Sequence, residues 1–297
     1  MSEHDIYAFG WEFYLGREEE AKIILSGERV SKEDVNAYSR LAPCTRLHFV
    51  NDVIDSIYEI ENGKEQLKAD GVEEGEKEFK YFDSTTNKLL LLDIGTEKQH
   101  HKLGGIPVDG FKIPQHEKIN VSFQYLGFLS NTDPLFSWLP FEKLQIAYPI
   151  HLGVTAIYFD YSNPLEPKVL DTEDLEDISY AYDEINRETE LVFEERYLKA
   201  FYFDPKVNTN YFGFGGIPSW MQYPQFPICP VSGTPMKFVC QLESIPEIKL
   251  AKSSLYIPKD NWSLNTHVGC MDFWGAGYFY LFMNPETKTV CMFIQNS

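Results

Sequence analysis

Hydrophobic and polar positions follow two regimes along this chain. From residue 79 onward the apolar residues come in short runs at period two: Val121, Phe123 and Tyr125 alternate with polar neighbours, and Met236, Phe238 and Cys240 repeat the pattern. That spacing predicts strands with one buried face. The stretch Gly277–Met283 is apolar on both faces and predicts a central strand covered on both sides. Asn163-Pro164 and Asn284-Pro285 each lead into another β-branched run, the turn chemistry of a hairpin.

The first 78 residues show a different spacing. Ser31 stands before acidic Glu33 and Asp34, and Val35, Tyr38 and Leu41 follow three apart, which predicts a helix ended by Pro43. Phe49, Val53, Ile57 and Ile60 recur three or four apart and predict a second helix over about 47–68. A third helical segment is expected over 171–196, where Leu175, Ile178, Tyr182 and Ile185 form one stripe.

The β-rich part contains the same series of motifs twice. Tyr-Phe-Asp, an Asn-containing turn and Gly-Gly-Ile-Pro occur around Gly104, Gly105 and Pro107 and again around Gly215, Gly216 and Pro218. A strand bearing Gln124 or Gln241 and the Asn-Pro turn follow in the same order. This is doubling of a module of about 110 residues, longer than a solenoid unit. The expected class is α+β: a duplicated β-rich module of mainly antiparallel sheets, with helices at the N-terminus and between the repeats. The expected divisions are a helical region 1–78, a first repeat 79–170, an acidic helical connector 171–197 and a second repeat 198–297, the repeats packed as one unit.

Net charge changes this picture because it is local. Of the −19 total, residues 1–80 carry 19 acidic against 10 basic side chains, and 171–195 carry 11 against one. Acidic surfaces of this kind repel nucleic acid and anionic membrane and favour encounter with a basic protein. Glu173, Asp174, Glu176, Asp177, Asp183 and Glu184 are the candidate partner-binding residues. No basic segment leads into an apolar one at the N-terminus, so a cytoplasmic protein without membrane association is expected.

Candidate chemistry is sparse. Gly-Gly-Ile-Pro runs straight into proline and lacks the glycine spacing and following helix of a phosphate loop. The five cysteines are unpaired by spacing, Ser232 stands where Cys229-Pro-Val would need a second thiol, and no zinc pattern occurs. His100-His101 is not repeated in the second copy. No catalytic residue, metal or cofactor is expected. Trp220, Tyr223 and Trp274 belong to a crowd of aromatics in the second copy and are candidates for a ligand or peptide cleft between the repeats.

Phe214-Gly-Gly-Ile-Pro-Ser-Trp, then Pro227-Ile-Cys-Pro, Gly233-Thr-Pro-Met-Lys-Phe-Val-Cys-Gln-Leu and Trp274-Gly-Ala-Gly-Tyr-Phe-Tyr-Leu-Phe resemble the YwqG-like family of bacterial proteins. The likeness is clearest over 214–282 and does not extend to 1–78. It implies a β-rich, internally repeated fold with no assigned reaction, and a setting among toxin and immunity genes. Ser232 departs from the fuller Cys-x-x-Cys turn of relatives and argues against carrying over a metal. The expectation is a non-enzymatic interaction module, an immunity protein that neutralises a basic toxin domain. A ligand- or peptide-binding cleft is the alternative and an unidentified hydrolase the third reading.

Overall fold

The computed structural model describes residues 3–9, 11–15, 21–25, 31–40, 44–50, 53–70, 90–95, 97–152, 156–175, 184–202, 212–216, 218, 221–222, 225, 227–258, 260–275 and 277–296. The chain divides into two compact units. One comprises 1–90, 202–209 and 215–224; the other comprises 91–201, 210–214 and 225–297.

The first unit is built from strands where helices were expected. Its elements are β1 (Glu3–Phe9), β2 (Trp11–Leu15), β3 (Ala21–Leu25), α1 (Val35–Tyr38), β4 (Cys44–Val50), β5 (Val53–Glu61) and β6 (Lys64–Asp70). β2 and β3 pair with each other, and the remaining strands form an antiparallel sheet in the order β1-β4-β5-β6. Ser31 does accept the Asp34 amide (3.2 Å), but the helix behind that turn is only four residues long.

The helix expected over 47–68 is instead most of β4, β5 and β6, and the reason lies in the register. Leu47 faces Ile57, Cys44 faces Ile60, and all four are buried. The two pairs fall at odd and even positions, so they lie on opposite faces of the sheet. A strand partly buried on both faces thus repeats apolar residues three apart and imitates helical spacing. Asn62 and Gly63 turn the β5–β6 hairpin with φ of 51° and 73°, the left-handed pair that a two-residue turn demands. Ser39 ties α1 to this turn: its carbonyl accepts the Asn62 amide (2.9 Å) and its hydroxyl the Gly63 amide (3.0 Å).

The second unit carries, apart from the strand ends Leu90, Tyr202 and Gly215, β7 (Leu90–Ile94), β8 (His101–Leu103), β9 (Gln124–Ser130), β10 (Lys143–Tyr148), β11 (Ile157–Asp160), β12 (Lys168–Val169), β13 (Leu191–Phe193), β14 (Arg196–Tyr202), β15 (Gly213–Gly215), β16 (Lys237–Glu243), β17 (Ile245–Ser253), α2 (Trp262–Val268), β18 (Cys270–Met271), β19 (Tyr278–Asn284) and β20 (Thr289–Gln295). An eleven-stranded sheet runs β10-β9-β8-β14-β7-β15-β16-β19-β20-β11-β12, and a three-stranded sheet runs β13-β17-β18. The strands of the repeated motifs take mirrored places in this order: β9-β8-β14 on one side answers β16-β15-β7 on the other, so the opening strand of each copy lies beside the other copy's Gly-Gly strand.

β19 lies between β16 and β20 and is buried at every position except Tyr278, as the unbroken apolar run predicts. Both Asn-Pro segments turn hairpins. Asn163 Oδ1 accepts the Leu165 amide (3.2 Å), and Asn284 Oδ1 accepts the amides of Glu286 (3.0 Å) and Thr287 (3.1 Å). The long sheet folds back on itself: Tyr148 of β10 meets Phe279 of β19 edge-on at 5.4 Å, Phe123 meets Phe159 of β11 at 6.2 Å, and the Tyr161 hydroxyl donates to the Gln145 carbonyl (2.7 Å).

The third expected helix is also corrected. A single 3-10 turn, Glu173–Leu175, stands near the start of 171–196, and β13 and the first residue of β14 stand at its end. Leu175 and Ile185 are buried, while Ile178 and Tyr182 lie outside the described residues. The class is therefore mostly β, with two short helices among the described residues. None of its helices there is long and apolar enough to cross a membrane.

Candidate functional site

Gly104 and Gly105 end β8 with φ of 64° and 71°, a conformation open to glycine and strained for other residues. The geometry leaves no choice at Gly104, where a Cβ would lie 2.0 Å from the Glu194 carbonyl oxygen. The Gly104 amide donates to Leu126 O and the Gly105 amide to Phe193 O, each at 2.9 Å, so the tetrapeptide crosses directly over β13. Lys102 fastens it from below. Its buried ammonium donates to Ile106 O (2.9 Å) and to Glu195 Oε2 (3.2 Å), and lies 5.6 Å from the Tyr125 ring centre. A hydrogen bond from the Tyr197 hydroxyl (2.8 Å), with Lys102 adding to it, holds the Glu195 carboxyl below its usual range.

This crossing opens a pocket of about 260 Å³. One wall is Gly105–Pro107, a second is drawn from 113–125, and the third is Arg187–Val192. Ile113, Pro114, Ile119, Val121 and Phe123 make the second wall apolar. Arg187 braces the third wall against the second: Nε donates to Ile119 O (2.7 Å) and Nη2 to the carbonyls of His116 (3.1 Å) and Glu117. Asn186 adds a turn of its own, its carbonyl accepting the Ser122 amide (3.1 Å) and its Oδ1 the Glu188 amide (2.9 Å). At the mouth, Ile106 is 70% exposed and Ile113 40%. Pockets for drug-sized ligands run from about 300 to 1,000 Å³, so this one suits a single large apolar side chain better than a cofactor.

The second Gly-Gly-Ile-Pro is built differently. Gly215 belongs to β15, only Gly216 has a positive φ (77°), and Pro218 is buried where Pro107 is partly open. The repeated glutamines are both buried. Gln124 spans Ser122 and the Ile150 amide, donating to Ser122 O (2.8 Å) and accepting from Ile150 N (3.2 Å).

Of the expected cleft, Trp220 and Tyr223 lie outside the described residues. Trp274 is held by structure: at φ 61° its indole Nε1 donates to Ile150 O (3.0 Å). Asp272 supports that turn, accepting from His267 Nδ1 (2.8 Å) and from the Gly275 amide (2.9 Å). Of the expected acidic ridge, Glu176, Asp177 and Asp183 lie outside the described residues, Asp174 sits in the 3-10 turn, and Glu173 and Glu184 are exposed.

His101 and Cys229 each sit in a defined hydrogen-bonded setting. His101 is buried, accepts the Ser130 amide at Nδ1 (3.0 Å) and faces Asp133 with Nε2 (3.0 Å), an arrangement that anchors the loop after β9. Burial raises the Cys229 thiol, but hydroxyls of Ser232, Thr287 and Thr289 outweigh it and bring the thiol down to about 7. The same turn is pinned to the Asn-Pro hairpin, since Asn284 Nδ2 donates to Ser232 and Thr234 (3.0 Å each). Among the described residues no group of three or more His, Cys, Asp or Glu is placed to hold a metal ion.

Sequence reasoning passed over Lys102, Arg187 and Leu191. The usable signals were a lone lysine two residues ahead of Gly-Gly, and the apolar run Leu191–Phe193 inside an otherwise acidic segment. No family model, no curated protein and no solved structure matches the chain. The likeness to the YwqG-like family over 214–282 therefore rests on its motifs alone.

Proposed function

We propose that this protein is a binding module whose pocket beside Gly105–Pro107 captures one apolar side chain of its ligand. The observation that supports this reading is the combination of apolar walls, a volume of about 260 Å³ and two exposed isoleucines at the mouth. Complete burial of an Ile- or Leu-sized group there contributes about 1.5–3 kcal/mol. The polar groups around it, Arg187 and Asn186, are spent on holding the walls, which keeps the pocket formed without ligand. The acidic balance of the chain supports a basic protein as the source of that side chain, the form in which an immunity role fits this reading.

The test is a thermal-shift titration with N-acetylisoleucine methylamide, comparing the natural protein with Ile106→Glu. A ligand that binds only the folded state raises the apparent Tm. Ile106 is largely exposed, so the variant should fold normally while its carboxylate at the mouth weakens binding about tenfold. Equal shifts in the two proteins would exclude this pocket as the binding place.

A further inference from the structure

β13 is an edge strand, and one position on its open edge is left unused. In the three-stranded sheet it pairs only with β17, Leu191 facing Ser253 and Val192 facing Lys252. The Ser254 amide reaches Glu190 O (2.9 Å). Leu191 and Ser253 are therefore a non-hydrogen-bonded pair, and the N–H and C=O of Leu191 point away from β17. Phe193, two residues on, points the same way, and there the edge is occupied, because Phe193 O accepts the Gly105 amide. At the other end Asn186 O accepts the Ser122 amide. Between these two covered points the edge borders the pocket. Leu191 is 5% exposed and lines the pocket, and no backbone hydrogen bond outside the strand ladders reaches its N–H or C=O among the described residues.

A buried peptide group without a partner is destabilising, and native chains leave few of them unmatched. Leu191, which lines the pocket, offers a donor and an acceptor side by side on the open edge. One residue of an extended peptide lying antiparallel satisfies both at once. We infer that the ligand is an extended peptide segment that adds to β13 by pairing with Leu191, places one apolar side chain in the pocket and carries basic residues at its outward positions. The charge follows from the strand's surroundings: residues 184–196 hold five acidic and two basic side chains. Glu190 and Glu195 are engaged by Lys252 (2.8 Å) and Lys102 (3.2 Å), while the exposed Glu184 and Glu188 have no ion-pair partner among the described residues.

This inference rests on the pocket reading and is separable from it by experiment. The probe is the acetylated, amidated peptide Lys-Val-Lys-Val-Lys-Val-Lys, added to the full chain, with hydrogen exchange at the Leu191 amide followed by NMR. Strand addition predicts that exchange at Leu191 slows at least about tenfold. N-methylation of the central valine should weaken binding roughly tenfold through one lost hydrogen bond, and replacing every lysine by glutamate should abolish binding at low salt. An unchanged Leu191 amide at saturating peptide, or equal binding of the N-methylated peptide, would overturn strand addition. If N-acetylisoleucine methylamide still fills the pocket in that case, the pocket reading survives and only the peptide mode falls. If neither probe binds, both fall.

Discussion

Replacing Gly104 by alanine is expected to cost about 3–5 kcal/mol and to abolish the pocket. Left-handed backbone at a residue with a Cβ costs about 1–2 kcal/mol by itself. The larger part comes from the Cβ, which would lie 2.0 Å from Glu194 O and 2.9 Å from the Glu194 carbonyl carbon. Both are main-chain atoms and cannot rotate aside, so the crossing over β13 has to open. Gly233→Ala is the matched control: its φ is 68°, yet nothing lies within 4 Å of the added Cβ, so only the backbone strain of about 1–2 kcal/mol applies. Urea denaturation of the two variants gives the comparison. If Gly104→Ala costs no more than Gly233→Ala, the tetrapeptide does not cross β13 as closely as described.

Acid should weaken the fold in a defined window, and His151 should account for much of it. The ring is buried, and burial pushes its pKa down from 6.5 to about 4. Burial lowers His101 as well, outweighing the opposing pull of Asp133. In the unfolded chain both rings take up a proton below about 6.5. In the folded protein His151 stays neutral until about 4, so stability is complete above 6.5 and is lost as the pH falls toward 4. That interval corresponds to about 3 kcal/mol for His151 at about 1.36 kcal/mol per pH unit. The carboxyls held low, Asp5 and Glu195 among them, lose their contribution below this window. Denaturant midpoints measured from pH 7 to 4 should fall in the natural protein and fall much less in His151→Phe. Parallel slopes in the two would remove His151 as the cause.

The sequence exposed the devices that act locally. Gly104 and Gly105 stood out as glycines ahead of a proline, and both take a positive φ. The Asn-Pro turns and the doubly covered β19 were legible for the same reason, because each is fixed by neighbouring residues. The N-terminal strands were not. Ile57 and Ile60 lie on opposite faces of one sheet, and only their partners Leu47 and Cys44 reveal that. Asn62-Gly63, passed over in the sequence, is a hairpin signal inside the expected helix, and it outranks a three-residue spacing that both-face burial can imitate.

The pocket was illegible for a different reason. Its walls come from 105–125 and 187–192, and the second stretch lies in the acidic segment taken for a helix. Leu191-Val-Phe193 is a strand only because β17 returns to pair with it. The open N–H and C=O of Leu191 then follow from register, which no single-chain periodicity contains. Trp274, named as a cleft residue, stands at φ 61° with its indole bonded to Ile150 and the Asp272 turn beside it. An aromatic residue can be conspicuous in sequence because it packs a strained turn.

The most direct test of the account is a methyl NMR titration of the natural protein with N-acetylisoleucine methylamide. The account predicts saturable shifts at Ile106, Ile113, Ile119, Val121 and Leu191, which line the pocket, and none at Leu264 and Val268, which are buried on α2. Shifts absent from the pocket methyls at saturating concentration, or equally large at Leu264 and Val268, would contradict it.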